Sequence, residues 1–84
     1  MTTDALEWRT AHVLASVIGI DPALLPETAS MQTVEGWDSL AHVHLIMALE
    51  AEFGISFGLE QALHLTSLPA IQEALRRVQT GAAG

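Results

Sequence analysis

Residues 36–57 read GWDSLAHVHLIMALEAEFGISF. Within them Leu45, Ile46, Leu49 and Phe53 recur at the spacing that gathers side chains on one face of an α-helix. Asp38 stands where such a helix would be capped, because a short side-chain oxygen there accepts a free N–H of the first turn. Gly54 stands where it would stop, since glycine takes up the left-handed conformation that ends many helices. A helix from about Asp38 to Phe53 is therefore predicted. It carries a second apolar row, Leu40, Val43, Met47 and Ala51. A helix at the surface of a bundle usually buries one stripe. A second row means either that a further neighbour encloses the helix or that the row docks a partner, and the pattern is compatible with both. Ser39 heads this helix. Unpaired backbone N–H groups at such a place favour a bound or attached phosphate, although a serine there is most often a simple cap.

Helical signals continue on both sides. Leu6, Val13, Leu14, Val17 and Ile18 define an inward stripe of a first helix starting near Thr3 or Asp4. Asp4 and Glu7 have capping-box spacing, with Asp in place of Ser or Thr, and Gly19 reads as the stop. Residues 20–37 read as a long loop, because Pro22 and Pro26 forbid a continuous helix. Asp21 before Pro22 suits a short helical turn through Leu24 and Leu25. Ile20, Leu25, Met31 and Val34 are expected to pin the loop to the core. Unstructured connections of this length usually serve a function. After Gly54 a short helix near Leu59 to His64 is expected, then a last helix from Ser67 with Pro69 in its first turn. Its inward stripe is Leu68, Ile71, Leu75 and Val78. Arg76 and Arg77 fall in its final turn, where cations suit the helix dipole. Nothing of useful length alternates with the period of a strand. The predicted fold is all-α: a four-helix bundle of three main helices plus a short third helix, with a long loop between the first and second. The 84 residues form one domain, with a folded core over about 4–79 and a frayed tail at 80–84.

Charge narrows the partners. The formal net charge is −7, and Arg9, Arg76 and Arg77 are the only strongly basic residues. Between Arg9 and Arg76 lie Asp21, Glu27, Glu35, Asp38, Glu50, Glu52, Glu60 and Glu73 with no cation among them. Nucleic acid and anionic lipid would meet like charge, so neither is expected as a partner. A protein with a basic patch is favoured, and self-repulsion favours a monomer. No apolar run approaches the ~20 residues of a membrane span, and the first ten residues lack the plan of a signal peptide. With no cysteine there is no disulfide, zinc-thiolate site or thiol nucleophile. A cytoplasmic location is expected.

Other chemistry is thinly represented. His42 and His44 are two residues apart and do not share a helix face, so no metal site is expected. Together with His12 and His64 they read as surface or partner contacts. Asp38 and Ser39 are adjacent and cannot orient a histidine between them. Glu50 and Glu52 point in different directions, so they form no acid–base pair. No catalytic constellation emerges.

The run from Gly36 to Phe57 also resembles the signature of acyl carrier proteins. The resemblance lies in Asp38-Ser39-Leu40 opening a helix, then Met47-Ala48-Leu49-Glu50, then Glu52-Phe53-Gly54. Gly19-Ile20 and Thr28-Ala29-Ser30-Met31 match the family's loop, and Leu65-Thr66-Ser67-Leu68 matches its lead into the last helix. The likeness spans roughly residues 5–78. It implies an acyl-carrier-like bundle in which Ser39 accepts 4′-phosphopantetheine from coenzyme A, delivered by a separate phosphopantetheinyl transferase with magnesium. The arm's thiol would hold acyl groups as thioesters, which accounts for thioester chemistry in a chain without cysteine. Asp38 would help place the transferase's metal. Leu40, Val43, His44 and Met47 would touch acyl-loading and acyl-processing enzymes, with Glu50 pairing to their basic patches. The acyl chain would shelter weakly between the helices.

The chain departs from the commonest pattern. His44 and Ala51 fall where many members carry acids, and Leu59 and Leu63 fall where the short helix is often acidic. Trp37 is bulky beside Asp38 and is expected to pack against the long loop. The pathway expected is fatty-acid, polyketide or related specialised biosynthesis. These departures favour a specialised one, such as polyketide, hybrid or lipid-modifying, over a housekeeping fatty-acid role. With no flanking linker a free-standing carrier is expected. The alternative is an unmodified acidic helical module that binds a partner through Leu40, Val43 and Met47.

Overall fold

Four helices are present in the computed structural model, which describes the backbone of residues 2–79 and the side chains of residues 5–78. They are α1 (Thr2–Ile18), α2 (Ser39–Phe53), α3 (Leu59–His64) and α4 (Leu68–Gln79). A single 3₁₀ turn, Pro22–Leu24, interrupts the long connection between α1 and α2. There is no strand among the described residues, only an isolated antiparallel bridge between Ser30 and Ser67. The capping role expected of Asp4 and the frayed tail at 80–84 lie outside the described side chains and residues.

α1 is the central element and packs against both α2 and α4. Leu6, Leu14 and Ala15 are buried on it, with Val13, Val17 and Ile18 packed at the margin. Thr10 is also buried, and its hydroxyl donates to the Leu6 carbonyl oxygen at 2.6 Å. Bonding back to its own helix satisfies the hydroxyl without a partner from elsewhere. The helix stops as the sequence suggested: the N–H groups of Gly19 and Ile20 both reach the Ala15 carbonyl, at 2.8 and 3.0 Å.

Leu14, Leu45, Leu49, Ile71 and Leu75 form the centre of the core, fully enclosed. Burying each such side chain contributes about 2 kcal/mol. On α4 the buried arc is Leu68, Ile71, Ala74 and Leu75. Val78 was expected on this stripe but is exposed, because the buried arc centres on 71, 74 and 75 and residue 78 extends past it in the final turn.

The long connection is held by more than its apolar residues. Leu25, Met31 and Val34 pack half-buried on the core, whereas Ile20 stays outside that cluster. Ala29 and Trp37 are the fully buried anchors. Backbone bonds tie the connection to the segment before α4: Met31 N–H donates to Thr66 O at 2.9 Å and Leu68 N–H to Ala29 O at 2.8 Å. Together they fix where α2 begins.

Candidate functional site

The start of α2 is built by a division of labour between adjacent residues. Asp38 is the N-cap: its backbone is extended and its Oδ1 accepts Ala41 N–H at 2.9 Å. Its carbonyl oxygen accepts His42 N–H at 2.8 Å. Ser39 is therefore the first residue inside the helix, exposed, with its hydroxyl spared from capping. Among the described residues neither its Oγ nor the N–H groups of Ser39 and Leu40 have a partner.

Ser67 offers the contrast. It also stands at the head of a helix, but its own Oγ accepts Ala70 N–H at 3.2 Å. Ser30 is likewise engaged, within 3.2 Å of the Thr33 hydroxyl. Ser39 thus has a reachable nucleophilic oxygen beside free N–H donors and the positive end of a helix dipole, the arrangement that accepts a phosphate.

Trp37, just before the cap, is only 2% exposed. Its indole N–H donates to His42 Nδ1 at 3.2 Å. The other ring nitrogen of His42, Nε2, lies 2.8 Å from the Ala62 carbonyl oxygen in α3. An indole only donates and a carbonyl only accepts, so the ring is neutral with its proton on Nε2. The expectation that His42 is a surface or partner contact is thereby corrected. It is buried and bridges two elements, because residue 42 continues the inward stripe of Leu45 and Leu49. Trp37 packs inward as expected, though its specific partner is the first turn of α2.

The second apolar row of α2 lies on the surface. Leu40, Val43 and Met47 are 65%, 54% and 61% exposed, and His44 is exposed beside them. Glu50, at the far end, is half-buried, and its Oε2 accepts Phe57 N–H at 2.8 Å, holding the connection from α2 to α3. Gly54 makes that connection possible: at φ 65° it is left-handed, and its N–H and that of Ile55 both end on Glu50 O.

The cations lie elsewhere. Arg9 holds Glu52 at 3.1 Å and lies over the Phe53 ring, 4.4 Å from its centre. Arg76 holds Glu7 at 2.9 Å and Glu73 at 3.6 Å, and Arg77 also reaches Glu73, at 3.4 Å. Glu35, in the open groove beside Ser39, and Glu60 on α3 have no cationic partner among the described residues. The α2 surface around Ser39 is apolar and acidic in outline.

A family model described as the phosphopantetheine attachment site matches residues 9–75, most of the chain. The protein belongs to that family, the acyl and peptidyl carrier proteins, whose members bear covalently attached 4′-phosphopantetheine. It is therefore a carrier protein of that type.

Proposed function

We propose that Ser39 is the residue that receives the arm, and that the protein carries acyl intermediates for enzymes of a specialised biosynthetic pathway. The observation that carries this reading is the free, exposed Ser39 hydroxyl at a helix head whose capping is done by Asp38. The free N–H groups of Ser39 and Leu40 fit a phosphodiester at that oxygen. In the transfer, Ser39 Oγ forms a bond to the phosphorus that bears the pantetheine of coenzyme A. The pyrophosphate bond breaks, adenosine 3′,5′-bisphosphate departs, and the hydroxyl proton passes to a base on the transferase. Asp38 holds the helix end with Oδ1 and leaves Oδ2 for the transferase's magnesium. Once attached, the arm supplies a thiol for acyl groups.

Leu40, Val43, His44 and Met47 form the face that partner enzymes would contact, and Glu50 closes its far end. Apolar contact would dominate there, with Glu50 pairing to basic patches of a partner and Glu35 and Glu60 adding to that charge. The exposed Leu59 and Leu63 on α3 add further apolar surface and support a specialised role. We place the carrier in the cytoplasm as a monomer. No helix among the described residues is long and apolar enough to cross a membrane.

The test is incubation with coenzyme A, magnesium and a promiscuous phosphopantetheinyl transferase, followed by intact mass. The wild type should gain one phosphopantetheine and Ser39→Ala none. A folded protein that gains nothing would instead be the unmodified interaction module.

A further inference from the structure

We propose that His42 is a positioning residue that couples the segment carrying Ser39 to α3, so that α3 and the Trp37 indole engage and release together.

α3 is the most loosely held of the four helices. It has six residues, none of them buried, and its N-cap Gly58 has no side chain with which to cap. Leu59 and Leu63 point away from the protein, 80% and 64% exposed. Hydrophobic burial therefore does little to hold it on α2. The side-chain hydrogen bond that reaches it from α2 is His42 Nε2–H to Ala62 O.

The opposite edge of the same ring accepts the Trp37 indole N–H. Trp37 lies two residues before Ser39 and His42 three after it, and the Asp38 carbonyl joins them by accepting His42 N–H. Three hydrogen bonds that meet at His42, reaching the indole, the helix cap and α3, thus surround the candidate attachment residue. The two ring bonds support each other. While Nε2–H is held by Ala62, the ring cannot turn and Nδ1 stays aimed at the indole. If α3 lifts away, the ring is free to turn and the buried indole loses its acceptor, which is costly for an enclosed donor. Conversely, a disturbed Trp37 releases the ring that holds α3. By linkage, anything that grips Leu59 and Leu63 is felt beside Ser39 without touching it, and the reverse holds equally.

The experiment uses the unmodified protein, so its outcome is separate from whether Ser39 takes the arm. Long-range proton–nitrogen spectra should show His42 with Nδ1 bare and Nε2 protonated. Solvent exchange of backbone amides is then followed by NMR in wild type, His42→Phe and Trp37→Phe. Both substitutions should speed exchange at Ala62 and Leu65 about tenfold, the effect of losing one buried hydrogen bond, while Ile71 in α4 changes little. The decisive arm is Trp37→Phe, which leaves the His42–Ala62 atoms intact and can reach α3 through the ring. Unchanged exchange in α3 for this variant would overturn the coupling. So would equal acceleration in α3 and α4, which marks a general loss of stability, or a His42 protonated on Nδ1.

Discussion

α3 and α4 are separated only by residues 65–67, and they are stabilised in opposite ways. α4 buries Leu68, Ile71, Ala74 and Leu75 against α1. α3 buries none of its residues and turns two leucines outward. Both are amphipathic in sequence, so apolar content does not distinguish them. What differs is that α1 packs on α4, whereas among the described residues none of α3 is buried. The molecule thus separates the surface that makes it stable from an apolar surface that stays exposed. α2 belongs to both, with Leu45 and Leu49 inside and Leu40, Val43 and Met47 outside.

Substitutions sharpen that contrast, and the largest effect belongs to α4. Ile71→Ala should cost about 3 kcal/mol, by lost transfer energy and the cavity left behind. Urea denaturation would show it as a large fall in midpoint. A cost under about 1 kcal/mol would mean that the core is not centred there. His42→Ala comes next, at about 2 kcal/mol, because it leaves the enclosed Trp37 indole without an acceptor and frees α3. The same denaturation measures it, and an effect near zero would break the distinction between His42 and an exposed histidine such as His44. Asp38→Ala should cost about 1 kcal/mol through the lost cap. It should also lower the yield of arm transfer more than that loss explains, read as intact mass at fixed time. The smallest stability effect is expected from Leu59→Ser with Leu63→Ser, within about 0.5 kcal/mol of wild type. The same pair should weaken association with an acyl-processing partner in a binding titration. A large stability loss with unchanged binding would reverse the roles given to α3 and α4.

Most of the framework was legible in the chain. The three long helices announced themselves by periodic leucines and by Gly19 and Gly54, because a helix that buries one face must repeat apolar residues at its own pitch. The geometry of the candidate site was legible at Asp38 and Ser39, since cap and first residue are a local matter. Two core polar residues were not read, although their positions carried the signal. Thr10 sits between Leu6 and Leu14 at steps of four, and His42 precedes Leu45 and Leu49 on one face. A stripe read by hydrophobic residues alone skips both, yet each is satisfied by a hydrogen bond. The bridge from Ser30 to Ser67 and the hold of Glu50 on Phe57 had no such signal. They join positions that become neighbours only after the helices have packed, and no periodicity encodes them. Val78 marks the reverse error, an apolar residue in register that the core does not reach.

The central claim concerns one oxygen among five serine hydroxyls, those of Ser16, Ser30, Ser39, Ser56 and Ser67. The most direct measurement is to digest the protein after transferase treatment and locate the added phosphopantetheine by peptide fragmentation. The expected result is complete assignment to Ser39, with none on Ser67, whose hydroxyl caps its own helix. An arm found on any other serine would contradict the claim.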